Sequence, residues 1–247
     1  MGFQLMERVA YRQMAELDQR HWWYRARREI LAELIRREVR PPEHAKLLEI
    51  GCGTGHNFAM LAQFGHLEAI ELDADSRTLA EQRLGRSIMT SPLPELVGVQ
   101  DRHYDLIAAL DVIEHIDEDA AAIGAIATKL KSGAKFLMTV PAHQWMWSAH
   151  DTVNHHKRRY SKSSLRKLIE GSPLRIDKIG YFNSLLFPAA IAERLASKVR
   201  GKASGDLALP PGSLNSALEH VFAAERHLVG RFPLPPGLSL FAVASAI

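Results

Sequence analysis

The chain has 247 residues, 47% of them hydrophobic and 24% charged, which suits one large globular domain with an appendage and excludes a disordered or fibrous protein. Its single cysteine, Cys52, excludes an internal disulfide and points to a reducing, cytoplasmic setting. The formal net charge is only +3, yet basic residues gather at 25–40, 155–167 and 198–202, where they would meet phosphate, acidic lipid or a carboxylate, or simply coat solvated helix faces.

In chain order, residues 1–44 read as a helical cap; charges run through its first 30 residues, so it lacks the apolar centre of a signal peptide. Short apolar runs then alternate with helical patterns. Strands are predicted near 46–50, 67–72, 86–90, 104–109, 135–140, 175–181 and 238–244, with helices at 57–64, 76–85, 117–131 and 162–170. The helix at 117–131 ends on Lys129, Lys131 and a glycine stop signal at Gly133; the one at 162–170 starts at Ser161 and stops at Gly171. The expected fold is α/β: a doubly wound, mostly parallel seven-stranded sheet. Residues 45–182 form its core, 183–236 a helical insertion broken by proline-glycine stretches on the substrate side, and 237–247 its final strand. The longest apolar runs, such as 184–192, fall far short of the roughly 20 residues a bilayer requires. No transmembrane segment is expected.

The predicted first strand runs into Leu-Leu-Glu-Ile-Gly-Cys-Gly-Thr-Gly, Leu47 to Gly55. A strand that turns into a helix through side-chain-free backbone at the sheet's carboxyl edge is where nucleotide-like ligands bind in doubly wound folds. The glycines fall as G-x-G-x-G; His56 occupies the third glycine position of the dinucleotide fingerprint, which disfavours a nicotinamide-dependent oxidoreductase. Glu71, 20 residues beyond Gly51 and at the end of the second strand, is placed to accept from ribose hydroxyls, whereas Asp73 suits the start of a helix.

Together with "YDLIAALDVIEHI" and "LKSGAKFLMTVPAH", these residues resemble the class I S-adenosylmethionine-dependent methyltransferase family over residues 45–181. The resemblance implies S-adenosylmethionine as cofactor and S-adenosylhomocysteine as product. It implies that Gly51, Gly53 and Gly55 line the donor, that Glu49 lies beside its amino group, and that Glu71 holds the ribose. Asp111 would shape the donor pocket. The family's adenine-binding acid is missing, and Ser91 with Leu93 is its nearest substitute. "HWWYRARR" at 21–28 is similar to an amino-terminal segment of bacterial members and implies a lid, with Arg27 or Arg28 reaching the donor carboxylate. Trp22, Trp23 and Tyr24 cannot all face one side of a helix.

Methyl transfer to a hydroxyl gains from a general base. His143, His150, Asp151, His155 and His156 cluster after the fifth predicted strand, where an acceptor would sit, with Trp145 and Trp147 to wall it. His150, His156 and His143 are the candidate bases, and their presence favours O-methylation over N- or C-methylation. Asp111, Glu114 and His115, joined by a histidine from 150–156, are similar to the metal motif of small-RNA 2'-O-methyltransferases and some quinone-pathway O-methyltransferases; relatives also carry Glu-His without metal, and no metal is the expectation. Arg158 and Arg159 either pair with an anionic acceptor or anchor their own loop. The segment 181–202 suits a lipophilic acceptor wall, peripheral membrane contact, core packing or a dimer contact. The expected partner is a small or lipid-like acceptor, not nucleic acid, with the chain a monomer or homodimer. A donor-binding module without catalysis is the alternative.

Overall fold

The structure, a computed structural model, describes residues 15–200 and 209–247. Residues 1–14 of the expected cap and the side chains of the basic stretch 198–202 lie outside the described part. Six strands form one sheet: β1 (Lys46–Ile50), β2 (His66–Ile70), β3 (Tyr104–Leu110), β4 (Leu130–Pro141), β5 (Leu174–Phe182) and β6 (Ser239–Ala246), in the order β2-β1-β3-β4-β6-β5. β1 pairs in parallel with β2 and β3, and β3 with β4; β6 lies antiparallel between β4 and β5.

Six strands replace the expected seven. The predicted strand at 86–90 contributes one parallel bridge, Met89 to Ile70, framed by hydrogen bonds from Glu71 N–H to the Met89 carbonyl (3.1 Å) and from Met89 N–H to the Ala69 carbonyl (3.0 Å). Pro92 and Pro94 follow at once, and their missing amides cannot extend a ladder. A second difference concerns Gly133. The helix expected to reach it ends at Lys129, and Leu130 is already extended. Gly133 (φ 74°) lies inside β4, where the pairing with β3 jumps from Tyr104–Leu130 to Leu106–Lys135. Leu130 is apolar and buried against the sheet, so strand pairing overrides the cationic helix-end pattern.

Helices cover both faces, as a largely parallel sheet requires. On one face α1 (Trp22–Leu34), α2 (Phe58–Leu61) and α8 (Gly212–Ala223) enclose Leu47, Leu67, Leu106, Leu137 and Phe241. On the other, α4 (Asp119–Lys129) and α6 (Lys162–Glu170) enclose Leu48, Ile107, Phe136 and Leu240. Leu47 and Leu48 thus go to opposite faces, the period of two expected of a strand. Also present are α3 (Ala74–Leu84), α5 (Ala149–Val153) and α7 (Phe187–Arg200).

The amino-terminal helix is fastened by the insertion. Asn215 of α8 accepts from Trp22 N–H (3.0 Å) and donates to the Arg20 carbonyl (3.0 Å), satisfying a helix-start amide that has no partner within its own helix. Arg25 pairs with Glu219 at 3.0 Å. The three consecutive aromatics diverge: Trp22 meets Phe222 edge-on, Trp23 lies under the Arg27 guanidinium, and Tyr24 meets His56. At the other end of the insertion, the fully buried Glu225 carboxylate accepts from the amides of Asn183, Ser184 and Leu185 at 2.7, 2.7 and 2.8 Å. This sets the exit of β5 against the turn after α8. α1 lies over the carboxyl ends of β1, β3 and β4, where Tyr24 meets His56 and Arg27 reaches Asp111 and Thr139.

Candidate functional site

The glycine loop follows β1. Gly51, Gly53 and Gly55 have φ of 65, 55 and 78°, the left-handed region that side chains disfavour. Their surroundings differ. A Cβ on Gly51 would strike Val112 at 2.7 Å and one on Gly55 the Phe58 ring at 2.5 Å, whereas one on Gly53 would meet nothing within 4 Å. Gly51 and Gly55 allow close packing; Gly53 leaves open backbone at the sheet's rim.

Glu71 faces that opening. Its carboxylate accepts from Gly53 N–H at 2.6 Å and from Asp73 N–H at 2.8 Å, so loop and second strand are locked in one geometry. Asp73 caps α3 through Ser76 N–H, 2.7 Å. Beneath the loop, Glu49 is buried, with one oxygen accepting from Asn57 Nδ2 at 2.8 Å and the other without a partner. Burial raises its pKa to about 8, against the pull of Asn57 and Arg27. A buried carboxyl with an idle oxygen beside bare backbone fits a ligand carrying an ammonium group. His56 closes the loop against Tyr24; burial, and then Arg27, hold its pKa down to about 3.

Arg27 reaches from α1 to the rim. One of its terminal nitrogens donates to Asp111 Oδ2 and to Thr139 Oγ1, both at 2.7 Å, and Thr139 donates to the other Asp111 oxygen at 2.9 Å. Arg27 is buried, its Nε has no partner, and Asp111 (φ 61°) remains partly open. Arg28 turns instead to the backbone carbonyls of Asp18 and His56. Of the adenine substitutes, Ser91 spends its hydroxyl on the Val97 carbonyl (3.0 Å), and Leu93 packs partly buried against the core.

A second cluster stands between the β3 and β4 loops. Asp151 is fully buried and accepts from His156 Nδ1 (2.9 Å), from Arg159 Nε (2.7 Å) and Nη2 (3.0 Å), and from the Ser148 amide (2.8 Å). Burial pushes its pKa up, but the bonds from His156 and Arg159 outweigh that and hold it well below the usual carboxylate range. With Nδ1 engaged, His156 turns Nε2 toward Glu114, 4.0 Å away, and its ring meets His115 at 4.7 Å. Glu114 is completely buried with neither carboxylate oxygen partnered; burial and then Asp111 raise its pKa well above normal. Glu114, His115 and His156 can each offer one ligand atom, all within 4.8 Å of one another. Of the set Asp111, Glu114, His115 and a histidine from 150–156, the last three meet, His156 being the histidine, while Asp111 is held by Arg27.

The remaining candidate bases separate. His150 is exposed on α5, its ring 6.3 Å from His156. His143 (φ 63°) sits instead in an aromatic group, stacked on Tyr181 and Phe187. Arg158 pairs with Asp119 at 2.8 Å and Arg159 with Asp151, so both arginines anchor their loop. Thr139, Asn57, Tyr181 and Phe187 belong to the site's surroundings without having been singled out in the sequence. Thr139 had a visible signal, a lone hydroxyl in the apolar run Phe136–Val140. No helix among the described residues is long and apolar enough to cross a membrane.

The profile of a family described as "Methyltransferase domain" matches residues 22–178. A probable S-adenosylmethionine-dependent methyltransferase of Mycolicibacterium smegmatis is 26% identical over 68% of this chain and 65% of its own length. A ubiquinone biosynthesis O-methyltransferase of Xylella fastidiosa is 29% identical over 40% of this chain and 43% of its own. The chain therefore spans less than two thirds of either relative. Among solved structures, phosphoethanolamine N-methyltransferase 2 of Haemonchus contortus, bound to S-adenosylmethionine, superposes with a TM-score of 0.58 at 16% identity, covering 87% of this chain and 51% of that one. The chain belongs to the methyltransferase-domain family, and its mostly parallel six-stranded sheet agrees with its resemblance to the class I S-adenosylmethionine-dependent methyltransferases.

Proposed function

We propose that the chain transfers a methyl group from S-adenosylmethionine to a hydroxyl of a small-molecule acceptor, with His156 as general base. The observation that carries this reading is the pairing of two built sites at one sheet edge: an open backbone at Gly53 fixed by Glu71, and an imidazole oriented by a buried carboxylate. Bound there, the donor would supply a methyl already activated on a sulfonium. Glu71 would take the ribose hydroxyls, Glu49 and Asp111 the ammonium, and Arg27 the carboxylate. Ser91 and Leu93 would border the adenine.

The chain's own contribution is placement. Displacement at an activated carbon is accelerated mainly by aligning the nucleophile and excluding water, and α1 roofs the glycine loop through Tyr24 and His56. Asp151 fixes the His156 tautomer: with Nδ1–H donated to the carboxylate, Nε2 is left to accept the acceptor's proton. His156→Ala is expected to lower turnover of labelled methyl at least 100-fold while calorimetry shows S-adenosylhomocysteine affinity within about threefold of wild type. Full turnover in this variant would dismiss His156 as base. NAD binding without any response to the sulfur ligands would dismiss the donor.

A second reading of the same cluster rests on the two idle oxygens of Glu114. A divalent ion on Glu114, His115 and the His156 Nε2 would satisfy them and bind the acceptor oxygen directly. Exhaustive chelation separates the two: undiminished turnover supports the base, and loss restored by Mn²⁺ or Zn²⁺ supports the ion.

A further inference from the structure

The four rings beside this cluster bear on the acceptor. His143 stacks on Tyr181 (5.4 Å, 12° between planes) and on Phe187 (5.2 Å, 21°), and Trp145 leans on both His143 (5.6 Å) and Phe187 (6.2 Å). They come from three places that meet at the carboxyl edge of the sheet: the β4 exit, the end of β5 and the start of α7. Trp145 is 59% exposed and Leu185, just before Phe187, 45%. The result is an outward-facing ledge of rings in which Nε2 of His143 is buried and unpartnered. The ledge is continuous with the base: the guanidinium that grips Asp151 also donates to the Ala142 carbonyl at 3.1 Å, and the Arg159 amide donates to Gln144 Oε1 at 3.0 Å.

Charge decides what such a ledge suits. The loop's cations are taken up by acids: Lys157 faces Asp117, Arg158 holds Asp119 and Arg159 holds Asp151. Among the described residues of this loop, none of the three is left to meet a phosphate or carboxylate. An ammonium group would want rings facing it from several sides, but Tyr181, His143 and Phe187 stack nearly parallel on one another and do not surround a space, and Trp145 is the exposed ring of the group. A flat neutral ring suits a single flat face.

We infer that the acceptor is a neutral aromatic hydroxyl compound whose ring lies against Trp145, a substrate class that rests on the methyltransferase reading above. The test uses 4-methylcatechol as probe on the S-adenosylhomocysteine-loaded protein, followed by calorimetry and by saturation transfer to the probe's ring protons, with phosphoethanolamine and choline as comparators. Saturable binding of the catechol in preference to both comparators is expected. Trp145→Ala should weaken it about tenfold and Trp145→Phe less than threefold, with S-adenosylhomocysteine affinity unchanged in both. Trp145 is largely exposed, so neither variant threatens the fold. The inference is overturned by absent catechol binding in the loaded wild type, by tighter binding of either comparator, or by unchanged affinity in Trp145→Ala. Failure of the wild type to take up S-adenosylhomocysteine at all overturns the donor reading instead, and is seen before any probe is added.

Discussion

Replacing Gly53 and Gly55 by alanine, one at a time, separates what the glycine loop does for the fold from what it does for the donor. At Gly53 the backbone has φ 55° and an added Cβ meets nothing within 4 Å, so the only folding cost is the left-handed backbone, about 1–2 kcal/mol. At Gly55 the new Cβ lies 2.5 Å from the Phe58 ring. Moving that ring adds about 1–3 kcal/mol of overpacking, for about 2–5 kcal/mol in all. A chain of this size loses about 2–4 °C of Tm per kcal/mol, which gives falls of about 2–8 °C for Gly53→Ala and about 4–20 °C for Gly55→Ala. Donor affinity should run the other way. The Gly53 methyl projects into the open face and should weaken S-adenosylhomocysteine at least tenfold by calorimetry, an energy of about 1.4 kcal/mol. Folded Gly55→Ala should bind more nearly as wild type. A Gly53→Ala protein with wild-type affinity would refute the claim that this opening cradles the donor.

Two further outcomes concern buried carboxyls. Asp151→Asn leaves the Arg159 guanidinium without its charge partner and is expected to cost about 3–5 kcal/mol in urea unfolding. Because the folded pKa of Asp151 is depressed, its contribution is present above the unfolded value of about 4 and lost as pH falls through the folded one, so the wild-type acid limb should be steeper than that of the variant; parallel limbs would count against it. For Glu49 the sign reverses. Its folded pKa is raised from 4.5 to about 8, so stability present below the lower value is lost as pH rises through the higher one. Glu49→Gln should flatten Tm between pH 5 and pH 8.5, and an unchanged slope would show that Glu49 is not the titrating group.

Much of this architecture could be read from the residues because the signals were local. The apolar runs at 46–50 and 104–109 had turn signals beside them, Ser161 could cap its helix, and the loop's glycine spacing left few alternatives. What failed depended on remote partners. The run at 86–90 looked like a strand, but the prolines behind it ended its pairing after one residue. Gly133 looked like a helix end because a bulge in β4 is visible only against β3. The site divides in the same way. Glu71 could be picked out by its spacing from Gly51, but its bond from the Gly53 amide shows only in the fold. The loop histidines could be found by composition but not sorted, since only the fold shows that Asp151 grips His156 while His143 joins Tyr181 and Phe187 from distant strands and helices.

The position of β6 has a consequence for assembly. β5 precedes it by more than 50 residues yet reaches the rest of the sheet only through it. Until residues 239–246 slot between β4 and β5, the Leu174–Phe182 segment has no ladder to join, and Tyr181 cannot come alongside His143. The contacts of the glycine loop with Glu71 and Asn57 are local and can therefore condense early, while the ring ledge waits on a closure across the whole 183–238 segment. On the proposed function, a nascent chain would complete its glycine loop before its ring ledge.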